Sequence, residues 1–190
     1  MLTDNIYLPN CNNLGLTEST HYLAEISIRR LLNRIHNSLY PDKKHHSLSQ
    51  TAITSLILDD FSMDEVASLD AICNELRSQL ETWYSSIPED FRPNLEDTAT
   101  DRPASRQTIL KIRYFAARHI IYRPFLLSIV THGSVRASPA MVEKAGLCIE
   151  SCRWYLRHTT QVVNMASQYT WTFALSYSSS CSNEQTPLLC

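Results

Sequence analysis

The chain has 190 residues, of which 44% are apolar and 19% charged, with a net charge of −2. That length supports one domain with a core of its own, and the near-neutral balance excludes bulk electrostatic attraction to nucleic acid or an anionic membrane. Only three glycines occur, Gly15, Gly133 and Gly146, so neither a dinucleotide-binding nor a phosphate-cradling glycine loop can be written, and the deficit predicts helices joined by loops rich in Pro, Ser and Asp.

Residues 1–19 read as an irregular N-terminal segment. The opening MLTDNIYLPNCNN has no basic stretch followed by an apolar one, so it is not a signal peptide. The first predicted helix runs from Thr20 to Tyr40. Ile28, Leu31, Leu32, Ile35 and Leu39 recur at helical spacing as one buried stripe. Arg30, Arg34 and Asn37 lie opposite, and Glu25 with Arg29 forms a favourable pair four residues apart. Pro41 stops the helix. The KKHH cluster beyond it is a solvated charge run, and TAITSLIL is an apolar stretch that fits either a short helix or a docked segment.

Ser62 and Glu65 have the spacing of a capping box at the start of the second helix. Leu69, Cys73, Leu76, Leu80, Trp83 and Ile87 follow with alternating spacings of four and three, the pattern of helix-on-helix packing. Pro88 ends this helix. Residues 85–104 form a polar, acidic loop with three prolines, long for a compact domain; it either covers a face of the bundle or marks a hinge. The third helix, Ser105 to Thr131, carries Ile109, Ile112, Tyr114, Phe115, Ile120 and Ile121 on no single face, which predicts a position in the middle of the bundle. Pro124 should kink it.

Ser138 and Pro139 open the fourth helix as cap and first helical residue, and Met141, Ala145, Cys148, Cys152 and Tyr155 continue it. Residues 161–174 suggest a fifth amphipathic or apolar segment. A Ser-rich tail from 175 to 190 reads as disordered. The expected fold is thus all-α, an irregular bundle of four to five helices with long loops, spanning residues 20–174. Runs such as FLLSIV are far shorter than the roughly 18 residues of a membrane span, so no membrane association is expected.

The candidate chemistry is sparse. Six cysteines occur, and without a secretory signal they are expected to be reduced. Cys148 and Cys152 lie four apart on a helix and could be joined in space by His119 or His132. They lack the short ligand spacing of structural zinc and read more simply as small apolar core residues. Ser178, Ser179 and Ser180 have no nucleophile-elbow glycines around them. No catalytic, cofactor-binding or metal-ligating residue is assigned, no cofactor is expected, and the chain is read as not an enzyme. The arginines of the first helix share their side with Leu23 and Ile26. The basic residues of the third are divided, Lys111 with Arg118 on one side and Arg106 with Arg113 on another. Neither forms the single basic stripe that a DNA-reading helix needs. An apolar pocket between the second, third and fourth helices, lined by Trp83, Tyr114, Phe115, Tyr122 and Trp154, is the alternative place for a ligand.

Four stretches carry a family resemblance: YLAEISIRRLLNRIHNSLY, LDAICNELRSQLETWYSSIPEDFRP, LKIRYFAARHIIYRPFLLSIV and CIESCRWYLRHT. Together they resemble the fungal-specific transcription factor domain, the helical regulatory region of binuclear zinc-cluster regulators. The resemblance implies an all-α domain in the nucleus that modulates a DNA-bound regulator and responds to metabolites or to partners. Those partners would be other transcription-regulatory proteins or a second copy of the chain. DNA contact in that family belongs to a separate cluster with two C-x2-C-x6-C runs, and this sequence contains neither. The expectation is therefore a regulatory or interaction module without direct nucleic-acid binding. The alternatives are a helical small-molecule sensor or a truncated, non-functional fragment of such a regulator.

Overall fold

The computed structural model describes residues 15–40, 63–96, 105–133 and 137–163. The N-terminal segment to residue 14, the KKHH and TAITSLIL stretches, the Ser62–Glu65 capping box, residues 97–104, the expected fifth segment beyond Val163 and the Ser-rich tail lie outside the described residues. Four α-helices occur among those described, with no strand: α1 Leu16–Leu39, α2 Met63–Ser86, α3 Arg106–His132 and α4 Pro139–Val163. A single 3-10 turn, Glu89–Phe91, follows α2. The all-α expectation holds.

The helix ends have local causes. Helix α1 starts earlier than Thr20, because the extended Gly15 (ψ 150°) presents its carbonyl to the Ser19 N–H at 3.1 Å. Ser105 caps α3, its hydroxyl accepting from the Thr108 N–H at 3.2 Å. Gly133 closes α3 at φ 84°, a conformation that side chains disfavour, with its N–H on the Ile129 carbonyl at 2.9 Å. The Ser138 hydroxyl accepts from the Met141 N–H at 3.3 Å, and Pro139 takes the first position of α4. Helix α4 continues to Val163, so residues 161–163 belong to its last turn and not to a separate segment. Helix α3 runs on through Pro124, which is buried; the ring deletes the bond to the Ile120 carbonyl but does not end the helix.

The described part of the connection after α2, residues 87–96, covers a face. Arg92 reaches back to donate to the Ile87 carbonyl from Nε at 3.1 Å and Nη2 at 2.8 Å, and to the Ser85 carbonyl at 3.0 Å. It thereby occupies carbonyls left open at the end of the helix. The Tyr84 hydroxyl donates to the Pro93 carbonyl at 2.8 Å. Ile87 is buried, and Phe91 and Leu95 pack half-buried against the core.

Paired residues give the topology. Phe115 stacks with Trp154, Arg118 meets Glu150 and His119 meets Cys148. As the α3 number rises the α4 number falls, so the two helices are antiparallel. Tyr114 with Glu81, and Ile121 with Cys73, set α2 antiparallel to α3. Trp83 with Ala24, and Gln79 with Arg34, do the same for α1 and α2. The order is up–down–up–down.

Helix α3 touches all three of the others and packs most extensively on α4. Its consecutive residues Ile109, Leu110, Lys111 and Ile112 are all buried, which is possible only for a helix enclosed on every side. On α1 the predicted stripe is the packed one: Ile28, Leu31, Ile35 and Leu39 are buried, with Leu32 half-buried beside them. All six positions of the α2 pattern, Leu69 to Ile87, are buried too. Each fully buried Leu, Ile or Phe contributes about 1.5–3 kcal/mol relative to exposure.

Candidate functional site

The thiols are sited by the core. Cys73 on α2 donates from Sγ to the Ile121 carbonyl at 3.3 Å, and burial pushes its thiol up to about 12. Cys148 lies with its Sγ 3.3 Å from His119 Nδ1 and 3.6 Å from the His119 carbonyl oxygen. Burial raises that thiol to about 11, with the Cys152 thiol adding to the rise and Arg123 opposing it. His119 is therefore the histidine that joins Cys148. His132 instead sets Nδ1 against the Ser128 carbonyl oxygen at 3.1 Å. Among the described residues no three of His, Cys, Asp and Glu come together as metal ligands, and Cys73, Cys148 and Cys152 are free thiols. A neutral thiol against a buried imidazole is a packing contact with a hydrogen bond. Burial also holds the His119 imidazole below its ordinary value, with Arg123 helping and the contact to Cys148 opposing.

The aromatic residues proposed as one lining divide into three sites. Trp83 faces α1, where its indole N–H lies 3.2 Å from the Ala24 carbonyl oxygen and 3.0 Å from the Ser27 hydroxyl. Phe115, Trp154 and His158 stack between α3 and α4, with centroids of successive rings 5.9 and 5.7 Å apart. Lys111 and Arg157 both lie over the Trp154 ring, at 5.9 and 5.6 Å from its centroid. Of the five, Tyr114 and Tyr122 line a cavity among the described residues.

That cavity, about 300 Å³, opens between α2, α3 and α4. Leu80, Ile121, Leu147 and the two tyrosine rings form its apolar part, and Arg77, Glu81 and Arg118 its polar rim. The Tyr114 hydroxyl donates to Glu81 Oε1 at 2.9 Å; burial and then this carboxylate hold the phenol well above its ordinary range. Burial likewise raises Tyr122, opposed by the nearby guanidinium groups of Arg77 and Arg118, the former hydrogen-bonded to its hydroxyl. Arg118 has a long ion pair to Glu150 at 3.8 Å. The cavity is thus less apolar than its expected aromatic lining implied. Two guanidinium groups beside an apolar floor suit a small anion with a hydrophobic body, since their forked donors match carboxylate and phosphate oxygens.

The rim residues were not singled out in the sequence, although their spacing carries a signal. Tyr114, Arg118 and Tyr122 follow one another at intervals of four on α3, as do Arg77 and Glu81 on α2. Each set shares a helix face. Nothing local says that the two faces meet.

The arginines of α1 lie on its outer side. Arg30 and Arg34 are exposed, and Arg34 Nη1 donates to Gln79 Oε1 of α2 at 2.9 Å. Arg29 Nη2 donates to Glu25 Oε1 at 2.5 Å, as the four-residue spacing predicts. The opposite face of this helix is spent on packing against α2 and α3. Among the described residues no helix is long and apolar enough to cross a membrane. Comparison with protein-family models, with curated proteins and with solved structures returned no match.

Proposed function

We propose that this chain is a regulatory or interaction module of the kind that fungal zinc-cluster regulators carry, acting in the nucleus through partners and not through its own contact with DNA. One observation carries the reading: the four stretches that resemble the family domain supply one segment of each helix. Of the buried residues that make up the main core, only Met141 falls outside them. The likeness therefore resides in the residues that make the helices fit one another, which supports a shared architecture more than a shared surface motif. The absence of both C-x2-C-x6-C runs from the sequence supports the second half of the proposal.

Two measurements test it. Fused to an unrelated DNA-binding domain, the full chain should alter output from a reporter bearing that domain's site. On its own it should show no sequence preference for DNA at about 0.15 M salt, where exposed charges are screened beyond roughly 8 Å. Sequence-specific binding by the chain alone at that salt would refute the reading.

The cavity favours a second reading, a small-molecule sensor. Its ligand would be an organic monoanion, the carboxylate or phosphate between Arg77 and Arg118 and the apolar part against Leu80, Ile121 and Leu147. A thermal-shift series of aromatic and branched aliphatic carboxylates examines this. A stabilising hit should be lost in Arg118→Met, and the absence of any shift across millimolar ligand would set the sensor reading aside.

A further inference from the structure

Helix α4 has an outer face that the bundle does not use. Val142, Ile149, Leu156 and Val163 are spaced seven residues apart and are 51%, 41%, 47% and 43% exposed. A seven-residue apolar repeat keeps one seam of a helix in register with a second helix, and this seam spans about 32 Å at 1.5 Å per residue. The inner face of the same helix is already committed: Met141, Ala145, Cys148, Ser151, His158, Thr159 and Val162 are buried. Scattered exposed apolar residues are ordinary. Four at one heptad position along a whole helix make a seam.

The charges beside the seam indicate its occupant. Glu143 and Glu150 lie along its N-terminal half, Arg153 and Arg157 along its C-terminal half, and all four are exposed. Turned end for end onto a copy of itself, the seam sets Val142 against Val163 and Ile149 against Leu156. Glu150 then falls within a turn of Arg153 of the second copy, whereas Glu143 and Arg157 stand about 7.5 Å out of register. A parallel pairing would turn opposite flanks of the seam to each other, and because all four charges lie on one flank it would form no such pair. Such self-complementarity under a two-fold axis is the property of an isologous dimer interface, whereas an unrelated partner requires no relation between the two ends of the seam. Within one copy Glu150 meets Arg118 only at 3.8 Å, and Arg157 rests over Trp154; neither contact crosses the apolar row.

We infer that α4 is the self-association face of this protein: two copies pair antiparallel through Val142, Ile149, Leu156 and Val163, with Glu150 and Arg153 setting the direction. The inference does not depend on the regulatory reading, which concerns what the module controls, and reporter output and oligomeric state can fail separately. The test is sedimentation of the full chain, with reductant present, across the micromolar range. A concentration-dependent dimer is expected. Leu156→Glu, a change at a half-exposed site, should return the chain to monomer with an unchanged helical spectrum. Glu150→Arg and Arg153→Glu should each weaken self-pairing at least tenfold. Mixed together they should pair again, because each then meets its opposite charge across the axis. That rescue is itself evidence that both variants fold. A monomer at all concentrations overturns the inference, as does a dimer indifferent to Leu156→Glu. A dimer broken by Leu156→Glu but unaffected by the charge reversals overturns the antiparallel arrangement.

Discussion

Trp83 shows how one side chain joins two helices. Its ring fills the α1–α2 interface while its N–H finds the Ala24 carbonyl and the Ser27 hydroxyl. Trp83→Phe keeps most of the apolar area and removes the donor, so it should lower unfolding free energy by about 1 kcal/mol. Trp83→Ala also leaves a cavity, and about 3–5 kcal/mol is expected. Urea unfolding of both variants separates the two contributions. His119 sets a pH dependence of definite sign. Its pKa in the fold lies below the ordinary 6.5, through burial first and Arg123 second. The unfolded chain therefore takes up a proton before the folded one does. Stability is complete above 6.5 and declines as pH falls below it. His21, lowered by burial and by Arg106, acts in the same direction. His119→Gln should flatten, without abolishing, the fall in melting temperature on acidification. The opposite limb comes from the raised thiols: stability should decline as pH climbs from 9.0 towards the value of about 12 at Cys73. The spacing of Cys148 and Cys152 was visible in the sequence. That His119 and not His132 meets Cys148 was not, since the pairing depends on how α3 and α4 slide past each other.

Element boundaries followed local chemistry where that chemistry was short-range. Ser105 and Ser138 both act on backbone groups three residues ahead; the cap at Ser138 was read from the sequence, while Ser105, read as the first helical residue, proves to be the cap of α3. Gly15 and Arg92 were less legible. Gly15 moves the start of α1 forward through its backbone alone, and Arg92 works backwards over five to seven residues on the end of α2. Ser105→Ala should cost about 1 kcal/mol. Arg92→Ala, which strips the Ile87 and Ser85 carbonyls of a charged donor, should cost about 1–2 kcal/mol. Arg92→Lys should recover only part of that loss, because an ammonium lacks the fork that reaches both carbonyls. Chemical denaturation of these three variants checks the order.

At the scale of the domain, α3 is the piece every other helix needs. Its apolar residues on all sides foretold a central place, and the packing puts it there. Removal of a side chain from its middle should therefore be felt throughout. Ile121, fully buried, predicts a loss of about 2–5 kcal/mol on Ile121→Ala. Far-ultraviolet dichroism and tryptophan fluorescence should still give coincident unfolding curves, because no helix has an independent core to retain. Separate transitions would mean that α1 and α2 melt apart from α3 and α4.

The sequence of this protein was sufficient for helix type, approximate helix ends, the buried stripes of α1 and α2 and the central place of α3. Those properties depend on residues within a turn or two of each other, and apolar spacing and capping record them. It was not sufficient for the meeting of Arg77 and Glu81 with Tyr114, Arg118 and Tyr122 around one cavity, for the dispersal of the expected aromatic lining, or for the row on α4 left outside the core. All three depend on which faces the helices turn to one another, and that is decided by side chains far apart in the chain packing into one volume.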